Sequence, residues 1–479
     1  MQAPRLPTRV IDIGSDNSEI KLVQTSSGDT GRYTTLSWRW PERDKKSPRP
    51  RWETIRASLP LKKINMLWDS IPKVHQDAIT VTRQAGLRYI WIDSHCIVQD
   101  DDAEKKREFP KMATIYSNSY LTISASWIKD INDGCFALRT PPKYAKFQYT
   151  IKAKRATDTV RAFLEPYELA SWWDQNIPLQ GEILSTRGWA FQERYLSIRT
   201  LYFAKAQMYF ECCKFMRGEN GFAVGGRLFG IHDKKRTNKY WNYLIESYSS
   251  RTLTYETDRL VAIEGLAVKF NEKLNDRYLA GIWHGDLLRD LLWSRNSSTP
   301  RKWKDPKRKF VAPSWSWAAV GCEFDTSPYT GVLAKYPTKT IAKLLDSNVT
   351  LESSDQQYGH VTKGYLKLRA PWIPVAPSRL DSNEGLLLKT RTGKRLRYGA
   401  SLDYKMKWSE IRPLRMYATP IVNIEGKLSP QAEYPSILVT PVPGKKNRFS
   451  RIGNIFLDKK SLGDEAPDQG AIRRTFTLV

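Results

Sequence analysis

The chain reads as an α/β protein: a parallel, doubly wound sheet in its N-terminal half, then a mainly helical segment and a small antiparallel β unit. Three observations predict this. Short β-forming runs at 33–38 (YTTLSW), 87–93 (LRYIWID) and 120–126 (YLTISAS) alternate with stretches of helical periodicity. The connections between them are short, as in strand–helix–strand crossovers. Beyond about Lys363 the pattern changes to brief alternating runs such as GYLKLRAP and PSILVTPV, split by Pro and Gly, which suits antiparallel pairing.

Taken in order, YTTLSW follows the turn-prone SSGDTG and forms the first strand. Val74, Ala78, Val81 and Ala85 recur at three and four, which is one face of a helix, and Gly86 stops it. Leu87 to Asp93 is the second strand. Asp100, Asp101 and Asp102 offer N-caps to a helix running toward Tyr116, which Pro110 must start, kink or divide. The third strand is 120–126, and 134–181 reads as an insertion. Helical character returns at 187–196, and 200–212 reads as one further strand. Helical signals near 240–248, 258–271 and 287–292 precede APSWSWA (312–318), where the spacing of Trp315 and Trp317 puts both on one side of a strand. The expected divisions are an N-terminal extension at 1–29, an α/β domain at 30–215, a mainly helical region at 216–330 and a β-rich region at 331–479.

With 41% hydrophobic and 12% aromatic residues the chain can bury its cores and is globular. Its net charge of +27 favours anionic partners, but the basic residues are scattered in short clusters with no long arm, so direct nucleic-acid binding is the weaker expectation. Five Cys without a CxxC, no signal-peptide core and no run of about 18 apolar residues point to a reducing, cytoplasmic setting with no transmembrane segment. The five His show no HxxxH or HExxH spacing, so no metal site is expected. No GxGxxG or GxxxxGK[ST] is present, which counts against a dehydrogenase or a P-loop NTPase. No prosthetic group is implied.

Chemistry in an open α/β sheet belongs beyond the carboxyl ends of its strands. Ser37 and Arg39 stand at the first such exit, where a hydroxyl and a guanidinium suit a pyrophosphate; the alternative is a loop-stabilising hydroxyl and a solvated arginine. At the second exit, YIWIDSHCIVQD (89–100) holds Asp93, His95, Cys96, Gln99 and Asp100. Asp93 either binds a ribose hydroxyl or caps the next helix, and if the strand persists it shares a face with His95 while Cys96 points away as a buried apolar residue. Gln99 and Asp100 suit loop orientation or capping. Trp189 and Glu193 are four apart, so on a helix the indole can wall a pocket beside the carboxylate; otherwise Glu193 pairs with Arg187 or Arg194 to anchor the helix.

YTTLSWRW (33–40), YIWIDSHCIVQD (89–100), MATIYSNSYLTISA (112–125) and RGWAFQERYLS (187–197), in this order, closely resemble the signature blocks of the fungal heterokaryon incompatibility (HET) domain. LTYETDRLVAIEGLA, GIWHGDLLRDLLW and APSWSWA look like the less specific region that commonly follows it, so the resemblance covers roughly residues 30–325. Two residues depart from the pattern: Pro41 stands where Gly is usual, and His95 where Leu is usual. Pro41 lacks an N–H and forbids positive φ, which disfavours a phosphate-cradling turn there.

The resemblance implies non-self recognition leading to fungal cell death. It further implies a remote likeness to TIR domains, which have a flavodoxin-like fold and whose enzymatic members cleave NAD at the nicotinamide glycosidic bond. In that likeness Leu36-Ser37 matches the TIR strand ending in Ser, and Trp189-Ala-Phe-Gln-Glu193 matches Trp-Cys-x-x-Glu, whose Glu is catalytic. On this basis Glu193 is the expected catalytic residue, and Ser37, Arg39, Asp93, Asp100, Trp189 and Gln192 are expected to bind an NAD-like nucleotide as substrate. The alternative is a non-enzymatic adaptor that signals through self-association or an incompatibility partner.

Overall fold

Four strands run parallel at the centre of the N-terminal sheet: β3 (Tyr33–Ser37), β4 (Tyr89–Trp91), β5 (Leu121–Ser124) and β8 (Arg199–Phe203). The computed structural model describes residues 3–17, 19–41, 49–136, 144–151, 156–163, 179, 181–221, 223–225, 234–295, 309–321, 324–325, 337–353, 357–380, 385–424 and 434–479. The chain divides into two units, Met1–Gly230 and Ile231–Val479.

In the first unit the nine-stranded sheet is mixed rather than wholly parallel. Residues 1–29 contribute β1 (Arg9–Asp12) and β2 (Lys21–Gln24), antiparallel along the free side of β4. On the other side β9 (Met208–Cys212), β10 (Phe215–Gly218) and β11 (Ala223–Gly225) extend β8 as an antiparallel meander. The single strand expected at 200–212 is therefore a hairpin. Its β-forming run is broken at 204–207, a connection too short for a parallel crossover. Residues 144–151 (β6) and 156–163 (β7) form a separate antiparallel pair within the 134–181 insertion, most of whose remainder lies outside the described residues.

Among the parallel strands, chain order maps to the spatial order second, first, third, fourth. The path from β3 to β4 runs one way through α1 (Leu59–Ile64) and α2 (Lys73–Gln84), and the path from β4 to β5 runs back across β3. Right-handed crossovers in opposite directions put their helices on opposite faces. The side chains agree. Thr34 Oγ1 meets Thr82 Oγ1 of α2 at 2.6 Å, whereas the Tyr33 hydroxyl donates to the Ile115 carbonyl of α5 (Met112–Asn118) at 2.7 Å. Gly86, at φ +70°, ends α2 in the left-handed conformation that glycine adopts without a Cβ penalty.

Strand β4 stops at Trp91, and Asp93–Cys96 form one helical turn, α3. The expected extension of the strand through Asp93 does not occur, so alternation no longer governs where Asp93, His95 and Cys96 point. Asp101 caps α4 (Asp102–Glu108) by accepting from the Glu104 N–H, and Pro110 divides α4 from α5 through a 3-10 turn. α6 spans Gly188–Leu196.

The second unit begins with α7 (Lys234–Ser249) and α8 (Glu264–Leu274), packed through Trp241 against Phe270 and Trp283 at ring distances of 5.2 and 5.5 Å. Trp315 and Trp317 are buried, but they flank a turn in which the Ser316 hydroxyl accepts from the Ala318 N–H, and not a strand. The β region is larger than expected: a nine-stranded sheet from Lys343–Leu351 to Arg473–Leu478. It is antiparallel apart from one short parallel pairing of Arg448–Phe449 with Thr477–Leu478. Among the described residues, no helix is long and apolar enough to cross a membrane.

Candidate functional site

The reversal of strand order between β3 and β5 opens a crevice at their carboxyl ends, where Ser37 lies in register with Ser124. Alternation along β3 turns Tyr33, Thr35 and Ser37 toward the face covered by α5. Thr35 and Thr122 hydroxyls meet there at 2.7 Å, and the Ser37 hydroxyl donates to Glu193 Oε2 of α6 in a very short contact. Glu193 is 8% exposed. Tyr116 of α5 donates to the Leu36 carbonyl at 3.1 Å and its hydroxyl also bonds the Glu193 carboxyl.

Burial pushes the Glu193 carboxyl up to about 7, and the nearby Asp93 charge adds to the rise; the Ser37 bond, the Arg187 guanidinium and the Tyr116 bond oppose it. Arg194 does not serve Glu193: its guanidinium reaches Glu211 through two 3.2 Å bonds, and Tyr202 also donates to that carboxylate. Arg187, at the N-cap of α6, donates to the Trp38 carbonyl at 2.7 Å. The helix is thus anchored to the loop after β3 by Arg187 and to β9 by Arg194.

Asp93 holds the same loop from the other side. The Trp38 and Trp40 indole N–H groups donate to its two oxygens at 2.9 and 2.7 Å, and the Ser94 N–H adds a third bond at 2.7 Å. Burial raises the Asp93 pKa against those bonds. Trp38 and Trp40 stack at 5.6 Å, and Trp52 packs edge-on to both at 5.5 and 5.6 Å. Asp93 therefore clamps two indoles at the strand exits.

Behind that clamp, Lys62 Nζ lies 3.4 Å from His95 Nδ1, and His95 Nε2 lies 3.0 Å from His75 Nδ1. An ammonium only donates, so His95 carries its proton on Nε2 and His75 in turn carries its own on Nε2, a buried atom with no partner among the described residues. His75 stands edge-on to Trp38 at 4.5 Å. Burial, together with the Lys62 charge, holds both imidazoles below their usual range, and burial brings Lys62 down to about 8. Cys96, also buried, has its thiol pushed up to about 12 and is no nucleophile.

Of the expected site residues, Ser37, Asp93 and Glu193 are brought together around this crevice. Gln192 is buried, Arg39 is partly exposed, and Trp189 is partly exposed with its ring 5.8 Å from Phe109. Asp100 is exposed and accepts from the Arg56 N–H at 2.9 Å, in a loop-holding role. Gln99 likewise ties its own loop, donating to the Asp93 and Ile97 carbonyls at 3.1 and 3.0 Å. Sequence reasoning named Arg187 only as a possible partner of Glu193, missed Tyr116, although it lies inside a quoted block, and missed Trp52, Lys62 and His75, which lie outside the blocks.

An α/β domain with a buried acid at the tips of two adjacent parallel strands is thereby defined. Residues 33–193 match the family model described as heterokaryon incompatibility protein (HET), a span that opens on the first residue of β3 and closes on Glu193. Those residues of the chain form a HET domain. Neither a curated protein nor a solved structure gives a match.

Proposed function

We propose that this HET domain triggers fungal cell death on non-self recognition by cleaving an NAD-like nucleotide in a TIR-like site at the tips of β3 and β5, with Glu193 as the catalytic carboxylate. The observation that carries the reading is the Ser37–Glu193 contact at the topological switch point. The second-first-third-fourth order of the parallel strands supports a flavodoxin-like reading of the domain's centre. In the reaction the C1′–N bond breaks and nicotinamide leaves with the electron pair. The ribose passes through an oxocarbenium-like state that the ionised Glu193 stabilises, and water adds at C1′ as its proton passes to that carboxylate. Asp93 would hold Trp38 and Trp40 as the aromatic wall, and Arg39 and Arg187 supply positive charge beside the nucleotide.

Purified protein incubated with NAD is expected to release nicotinamide, faster as pH rises through about 7 because the ionised acid is required. Glu193→Gln is expected to abolish release while leaving circular dichroism unchanged. A second reading is a self-associating adaptor, favoured by the burial of Glu193 against Ser37 and Tyr116. An intact, concentrated protein that turns over no NAD would select it.

A further inference from the structure

Two rungs of identical chemistry cross between α7 and the segment entering α9 (Leu287–Asp290) in the second unit. Asn238 donates its amide N–H to Asp286 in a very short contact, and Asn242 donates to Asp290 Oδ1 at 2.8 Å. Each pair of residues, 238/242 and 286/290, is spaced by four, so on a helix the members are neighbours about 5–6 Å apart on one face. Both amides spend an N–H on a carboxylate. What remains is oxygen: Asn238 Oδ1 and Asp290 Oδ2 are both buried with no hydrogen-bond partner among the described residues. Asn238 is only 7% exposed.

With Asp290 ionised both oxygens are acceptors and cannot satisfy one another, and a buried orphan acceptor pays its desolvation cost. Among the described residues no cation bonds either oxygen, and the adjacent Arg289 guanidinium donates to Thr338 Oγ1 at 3.0 Å. A hard divalent ion takes six or more oxygens at about 2.0–2.6 Å, from carboxylates, amide carbonyls and water, with no need of nitrogen or sulfur. We infer that Asn238, Asp286 and Asp290 are the protein ligands of a hard divalent cation, Mg2+ or Ca2+, and that Asn242 positions Asp290. The ion accounts for both orphan oxygens at once and neutralises a pair of adjacent acids. It would also fasten α7 to α9.

The test is calorimetric titration of the chelator-stripped full chain with MgCl2 or CaCl2, alongside thermal unfolding with and without the ion. Wild-type protein is expected to bind one ion and to unfold at higher temperature in its presence. Asp290→Asn and Asp286→Asn are expected to weaken binding by about tenfold or more and to lose the thermal response, and Asn242→Ala to weaken it less. Asn238→Asp guards against simple misfolding: it should destabilise the stripped protein but tighten ion binding. Asp346→Asn, at an exposed residue bonded to Tyr365, should leave the response unchanged. No binding heat with either ion overturns the inference. So does an Asp290→Asn variant that is more stable than wild type with an unaltered ion response, which would mark Asp290 as a buried protonated acid bonded to Asn238.

Discussion

Replacing Glu193 by Gln should stabilise the first unit at alkaline pH and do little at acid pH. The carboxyl titrates at about 7 in the folded chain against 4.5 for the freely solvated group, because burial disfavours its charge. Between those values the folded state holds a proton that the unfolded state has released, so raising the pH through this window lowers stability. At about 1.4 kcal/mol per unit, the cost is roughly 1 kcal/mol at pH 5 and approaches about 3 kcal/mol at pH 8, with no cost well below 4.5. Gln is nearly isosteric, can accept from Ser37 and carries no charge to desolvate. The variant should therefore exceed wild type by about 2–3 kcal/mol at pH 8, and the gap should shrink by about 2 kcal/mol on going to pH 5. Native-state hydrogen exchange of the Tyr33–Ser37 and Gly188–Leu196 amides, corrected for intrinsic rates, reads this locally within the full chain. A difference between the two proteins that does not change between pH 5 and 8 would refute the reasoning, because Glu193 would then titrate as an ordinary solvated or fully paired acid.

Two further outcomes follow from the same geometry. Asp93→Asn removes a negative charge that raises Glu193 and leaves one carbonyl for two indole donors; nicotinamide release should shift its pH midpoint downward, and tryptophan emission should move to longer wavelength as one indole is freed. Glu211→Gln strands the buried Arg194 guanidinium and should cost about 3–5 kcal/mol in urea unfolding of the first unit, whereas Arg194→Met combined with Glu211→Leu should recover most of it.

The β-forming run of Tyr33 to Ser37, the three-and-four spacing of Val74, Ala78 and Val81, and the break at Pro110 are local patterns, and the sequence by itself determined the elements they form. It also marked the strand exits, since polar clusters after YTTLS and YIW stand out against the runs before them. It did not reveal that β1 borders β4 and carries β2 at the edge, that 200–212 folds back as a hairpin, or that Asp93 lies on a helical turn. Those outcomes depend on which edge each strand finds and on what packs over it, and neither leaves a periodic trace. Nor could spacing show that Ser37 and Glu193, 156 residues apart, touch, that Asp93 would be occupied by two indoles, or that His75, His95 and Lys62 form one chain of bonds. Burial sets the protonation of Glu193, and burial belongs to the assembled sheet and its helices: a residue's chemistry is written in the chain, while the solvent it loses is decided only when distant segments close over it.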